Sequence, residues 1–272
     1  MWDEFEETTS HFVVKEQRVL FHVPDTAIFM MEHGSKITVS PIDDNKADNL
    51  RLYLLGTCMG VLLMQRRIIP LHGSAIEIEG RAYAIVGHSG AGKSTLASAF
   101  MERGYRLLSD DVIPITFSDE DKPIVTPSYP HQKLWTQTLE HFGRDTSGLK
   151  PIIFRDTKFG VPVTNQFCFE KLPLAGVFEV TKTLDDHIQI NPVEKLQQFY
   201  LLYKHTYRNF LIKRAGLMEW HFQTVTKISN SIDFYQLERP SNRFTAEELT
   251  DVLLTTINKE EWIDEQSREI LN

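Results

Sequence analysis

The stretch HGSAIEIEGRAYAIVGHSGAGKSTL, residues 72–96, decides how the chain must fold. Its last part fits G-x-x-x-x-G-K-[ST] from Gly87 to Ser94, in which glycines let successive backbone N–H groups converge on an anion. The residues before it supply the strand that such a loop needs. SAIEI alternates, Glu79-Gly80 is a turn signal, and RAYAIV runs straight into the loop, so an antiparallel hairpin is predicted. The residues after it supply a helix from about Lys93 to Arg103, burying Leu96, Phe100 and Met101 and ending at Gly104. That helix adds the dipole of its N-terminus to the loop amides. Gly87, His88, Ser89, Gly90, Ala91, Gly92, Lys93, Ser94 and Thr95 are therefore the candidate nucleotide-binding residues. Lys93 is expected to reach the β- and γ-phosphates of ATP and the Ser94 hydroxyl to coordinate Mg2+. The bland alternative is a glycine turn with no ligand.

Beyond the helix, YRLL at 105–108 reads as a strand, with Asp110-Asp111 just past its end. Carboxyl ends of neighbouring parallel strands face one crevice, so these acids are expected to point toward the phosphates. One would hold Mg2+ and the other would accept a proton from an attacking hydroxyl. Adjacent acids on an extended segment point to opposite sides, so the two need not share a role. A solvated acidic turn is the competing reading. His72 opens the strand beside the loop strand and is in reach of the same place, although a lone histidine is more often structural than catalytic.

On the other side of the hairpin, residues 11–40 alternate in short apolar groups that read as three or four strands. Residues 47–67 read as a buried helix with a stripe of Leu50, Leu54, Leu55, Met59, Leu62 and Leu63. Its apolar core, LLGTCMGVLLM, is too short to span a bilayer. Residues 1–70 thus form a small leading module and 71–272 the nucleotide-binding domain. Residues 117–165, rich in Pro, Gly, Ser and Asp, read as long loops around one helix at 131–142. LAGVFEV at 174–180 is a buried strand. Asn191 as N-cap with Pro192 at the first helical position, and Thr245 with Glu248, open two further helices. The aromatics of FYLLYKHTY at 199–207 are spaced as core or subunit interface.

Composition narrows the class. Acidic residues outnumber basic ones 37 to 29, and a net charge of −8 argues against broad nucleic-acid or membrane binding. Two distant cysteines make neither a disulfide scaffold nor a metal site, and fit a reducing compartment. The opening MWDEFEE is acidic where a signal peptide is basic, so a cytoplasmic protein is expected.

HGSAIEIEGRAYAIVGHSGAGKS followed by RGYRLLSDDVIPI resembles the catalytic core of HPr kinase/phosphorylase and the wider HPr-kinase-like serine kinases, related in fold to phosphoenolpyruvate carboxykinase. The tight resemblance covers roughly residues 71–116, with looser likeness through YPHQKLW, LPLAGVFEV and IDFYQLERP. It implies an α/β fold with a mixed sheet around the phosphate loop. It also implies metal-binding roles for Ser94 and Asp111, a base role for Asp110 toward an acceptor serine, and a place for His72 beside the site. The family's E-[IL]-R-G-L-G segment appears here as PLAGVFEV, and only about 70 residues precede His72, fewer than in bacterial HPr kinases. Short chains of this kind resemble the tailoring kinases that phosphorylate the C-terminal serine of lasso-peptide precursors. The expected function is ATP-dependent transfer to a serine of a peptide or protein, with oligomer formation open. Arg155, Lys158, Arg208 and Arg214 are candidate extra cations for the phosphoryl group or for a peptide carboxylate, against the plainer reading of each as solvated basic surface. Rival readings are an ATP-binding regulator or ATPase, a kinase of an HPr-like protein or small metabolite, a carboxykinase-like lyase, and a nucleotide-stabilised interaction module.

Overall fold

The computed structural model describes residues 11–43, 47–152 and 155–270, with side chains described for all of these but 155, 156 and 260–270. The acidic opening MWDEFEE lies outside the described residues. The alternating groups that follow it pair into a four-stranded antiparallel sheet, in the order β1 (Phe12–Lys15), β2 (Arg18–Val23), β3 (Ala27–Glu32) and β4 (Lys36–Pro41). Period two puts Val19, Phe21 and Val23 on the same buried face as Ala27, Phe29 and Met31.

The next segment is helical as expected, but it is not one regular helix. α1 (Ala47–Tyr53) passes through a π-turn at Leu54–Cys58 into α2 (Met59–Gln65). The wider turn rotates the buried face, so Leu55 and Met59 leave the expected stripe and are 37% and 36% exposed. Gly56, Cys58, Gly60, Val61, Leu62 and Met64 face inward instead. This module packs its apolar cluster onto Leu211, Ile212 and Leu217, far along the chain.

β5 (Ile69–Leu71) leads into the hairpin of β6 (Gly73–Ile78) and β7 (Arg81–Val86), paired from Gly73↔Val86 to Ile78↔Arg81. Glu79 and Gly80 form its two-residue turn, both with positive φ, the geometry that suits strand twist. After the phosphate loop come α3 (Lys93–Glu102), β8 (Arg106–Asp110), β9 (Ile113–Phe117) and β10 (Pro123–Val125). Two expectations then fail. Residues 131–142 are not one helix: β11 (His131–Trp135) precedes a short α4 (Thr136–His141). With β12 (Pro151–Ile152) and β13 (Arg155–Pro162), β11 forms a three-stranded sheet, so RDTKFG is strand and not loop. Pairing between segments distant in sequence overrides the local helical pattern there.

The buried strand around 174–180 is β14 (Leu172–Thr183), followed by β15 (Gln189–Pro192). Asn191 and Pro192 therefore do not open a helix. They pair with Gln236 and Tyr235, and α5 (Lys195–His205) begins only after Glu194. The chain closes with α6 (Phe210–Arg214), α7 (Met218–Ser231), β16 (Asp233–Pro240) and α8 (Ala246–Ile270).

Nine of these strands form one mixed sheet. β14 runs parallel to β7 and β16, while β8 shares their direction through β6, which is antiparallel to both β7 and β8. The carboxyl ends of β8, β7, β14 and β16 thus share one edge. Both faces are covered. Ile76, Tyr83, Ile85 and Phe178 meet α3 and α8 on one side, and Ala75, Ala82, Ala84 and Val177 meet α5 and α7 on the other. That is why RAYAIV of β7 and LAGVFEV of β14 read as near-continuous apolar runs.

Candidate functional site

The shared strand edge opens into a cleft of about 980 Å³. β7 delivers the phosphate loop to it. At Gly87 (φ +150) an added Cβ would lie 2.5 Å from the Val180 carbonyl oxygen, so glycine is needed where the loop turns against β14. Lys93 donates to the Gly87 and His88 carbonyls at 2.9 and 3.1 Å. Burial lowers its ammonium pKa, with Lys158 adding to the effect and Asp110 and Asp111 opposing it.

Asp110 ends β8 in register with Ser74 of β6. Its Oδ1 accepts from the Ser74 hydroxyl at 2.6 Å and the Ser94 hydroxyl at 2.9 Å, and Oδ2 from the Lys133 backbone N–H at 2.8 Å. Asp111 takes a left-handed backbone (φ +82) that turns its side chain to other company. Its Oδ2 meets the Lys133 ammonium at 2.5 Å and its Oδ1 lies 3.5 Å from His72 Nδ1. Burial alone would raise the Asp111 carboxyl, but Lys133, His72 and Lys158 outweigh it and hold it below the usual carboxylate range. His72 Nδ1 lies 2.9 Å from the Asp111 carbonyl, which can only accept. Nδ1 therefore carries the hydrogen, and the lone pair is on Nε2. Burial, then Lys93, lowers the His72 pKa against Asp111, which keeps the ring neutral at pH 7.

Several site residues escaped the sequence reading. β11 brackets the loop: Gln132 takes the Ser98 hydroxyl at 3.1 Å and lies 3.4 Å from the Ser94 carbonyl, and Lys133 contacts both aspartates. Thr138 of α4 meets Thr95 at 2.9 Å. The turn after α5 is bonded onto β5, His72 N–H to His205 O and Tyr207 N–H to Pro70 O, both at 2.7 Å. It brings Tyr207 and Arg208 beside His72, so Tyr207 belongs to the cleft and not to core or interface. Glu179 of β14, paired with Val86 at the end of β7, accepts from Lys204 at 2.9 Å and His205 at 2.7 Å. Burial would raise Glu179, yet these two partners bring it to about 2. Arg239 of β16 donates to the Ala91 carbonyl of the loop at 2.7 Å. Only spatial neighbours reveal these groups, and no local sequence signal marks them.

Of the four candidate cations, Lys158 and Arg208 line the cleft. Arg214 lies over the Phe210 ring and is not among the cleft's lining residues, and the Arg155 side chain is outside the described residues. Eight Lys and Arg side chains line the cleft against two carboxylates. No cluster of three or more His, Cys, Asp or Glu suited to a metal occurs among the described residues. The Ser94–Asp110 pair does fit Mg2+, which commonly takes one or two protein oxygens and completes its shell with phosphates and water. Cys58 and Cys168 are both free and buried. No described helix is long and apolar enough to cross a membrane.

A glycine-rich loop, its lysine and serine, and an acidic pair on one edge of a mixed sheet are the features of a P-loop α/β protein. Residues 65–135 match the family model described as HPr Serine kinase C-terminal domain, and over this core the chain is HPr-kinase-like. HPr kinase/phosphorylase from Nitrosomonas europaea is 24% identical over 160 residues, which are 55% of this chain and 49% of that one. The Lactobacillus gasseri enzyme of the same name is 27% identical over 111 residues, 38% and 34% of the two chains. The match thus spans half or less of these relatives' own length. The solved HPr(Ser) kinase/phosphatase from Coxiella burnetii superposes with a TM-score of 0.37 at 12% identity, over 72% of this chain and 98% of that chain.

Proposed function

We propose that the protein is an ATP-dependent kinase that transfers the γ-phosphate to a serine hydroxyl of a peptide, with the C-terminal serine of a lasso-peptide precursor as the favoured acceptor. One observation carries this reading: Lys93, Ser94, Asp110, Asp111 and His72 converge on the same cleft. The loop amides and Lys93 hold the phosphates. The 2.9 Å contact between Ser94 and Asp110 supports giving the metal to this pair, which exchanges the roles expected for the two aspartates from sequence. Bound Mg2+ would offset charge on the phosphoryl oxygens. Asp111, beside a neutral His72, is then the group that orients the acceptor hydroxyl and takes its proton. Lys158 and Arg208 add positive charge on the acceptor side. The lasso-peptide acceptor rests on the likeness of short chains of this kind, and the serine itself on the HPr Serine kinase match.

The test is incubation with Mg-ATP and the small peptide encoded beside the gene, read by mass. A phosphopeptide, with little phosphate released when peptide is left out, is the expected result. Steady phosphate release without any acceptor would identify an ATPase instead, and transfer only to a free metabolite would remove the peptide.

A further inference from the structure

Asp110 and Asp111 are consecutive, yet their charges are treated differently. Asp110 receives three hydrogen bonds, all from neutral donors, so its charge is left to face the phosphate site. Asp111 instead has an ammonium on Oδ2, and His72 near Oδ1. Two carboxylates beside a phosphate site are the donor set that can recruit a pair of divalent ions. Here a single residue meets both of them. Lys133 is pinned by its pairing with Gly160, its N–H is spent on Asp110 and its ammonium on Asp111. The Lys133 and Asp111 side chains are only 16% and 17% exposed, so solvent screens their contact little.

We propose that Lys133 stands in for a second divalent cation, so that the site takes one Mg2+, on Ser94 and Asp110, with the Lys133 ammonium as its built-in companion on Asp111. A lysine suits this because its charge is a compact point with the reach of a flexible stem. Other groups that interact with Asp111 include His72, Lys93, Lys158 and the phenols of Tyr129 and Tyr207. A divalent ion at Asp111 would have to displace Lys133 and sit among several cations. In transfer, the ammonium lies where negative charge must be offset beside an acceptor, and this consequence rests on the kinase reading. The ion count itself does not.

Mn2+ bound in the presence of the non-transferable analogue adenosine β,γ-imidotriphosphate, counted by electron paramagnetic resonance, tests the idea. Wild type is expected to hold a single ion. Lys133→Met is expected to gain a second, and Lys133→Arg to return to one. A second ion in wild type, or no gain in a folded Lys133→Met protein, overturns the proposal. Should Lys133→Met fail to fold, Asp111→Asn keeps the Lys133 backbone contact and must stay at one ion; a gain there also overturns it. One ion per nucleotide together with no transfer to any peptide would remove the kinase reading while the Lys133 inference stood.

Discussion

Asp110 and Asp111 lie one residue apart, and the left-handed turn between their side chains makes their substitutions separable. Asp110→Asn weakens the partner of Ser94, so Mg-ATP affinity should fall along with transfer. Asp111→Asn should leave Mg-ATP affinity near that of wild type and lower kcat by about 10² to 10⁴, the usual worth of a positioned proton acceptor. Calorimetric titration beside a transfer assay checks both, and the reverse pattern would restore the roles expected from sequence. A second residue-scale test concerns His221, which is 3% exposed. The Thr206 hydroxyl gives its hydrogen to the Leu202 carbonyl at 2.7 Å, so His221 Nε2, 2.9 Å away, must donate to it. Burial takes the His221 pKa from 6.5 to about 4. Because the folded value is the lower one, the unfolded chain binds the extra proton first, and stability falls as pH drops from 6.5 toward 4. The loss attributable to His221 is ~3 kcal/mol, a large share of a typical domain's stability. His221→Gln keeps a donor without titrating, so urea midpoints across this window should flatten in that variant.

Among the elements, the helix pair of the leading module matters more than its distance in sequence suggests. An added Cβ on Gly60 would lie 2.7 Å from Tyr207 Cδ1, and one on Gly56 would lie 3.1 Å from Tyr207 Oη and 3.6 Å from Asp111 Oδ2. The π-turn and the start of α2 therefore pack behind Tyr207 and Asp111, on the side proposed for the acceptor, and Thr57 on the turn receives the Arg208 guanidinium at 3.2 Å. In an ordinary exposed helix Gly→Ala would gain up to about 1 kcal/mol. Gly60→Ala should instead cost about 1 to 3 kcal/mol through overpacking and reduce transfer to peptide, with nucleotide affinity retained. A variant as stable and active as wild type would remove Tyr207 from the acceptor side. None of this packing was legible in the sequence, whereas the hairpin, the phosphate loop and α3 were. Those depend on adjacent residues: alternation in β6, the apolar run of β7, Glu79-Gly80 between them, and Gly104 after the helix. HQKLW and Asn191-Pro192 were misread because partners more than twenty positions away in the chain, on β13 and β16, decide their state. Lys133, Tyr207 and Glu179 stayed hidden for the same reason, since each acquires its role only from groups brought in by other strands and helices.

Across the whole molecule the charge is divided against itself. The chain carries a net −8, yet its cleft presents eight basic side chains to two carboxylates. An incoming nucleotide is repelled by the body and attracted by the cleft, and the two forces differ in range. At about 0.01 M salt the screening length is roughly 30 Å, so charges over the entire surface act on the ligand. At about 0.1 M it is roughly 10 Å and the remote acidic surface is screened first, while the cleft still acts at contact distance. Near 1 M the length is roughly 3 Å and the cleft's own attraction weakens. Nucleotide affinity should therefore rise between the lowest salt and about 0.1 M and fall again toward 1 M. Kd values for Mg-ATP measured by titration across that series check it. A Kd that climbs steadily from the lowest salt would mean that the cleft's local field alone governs binding and that the acidic body contributes nothing to what the nucleotide feels.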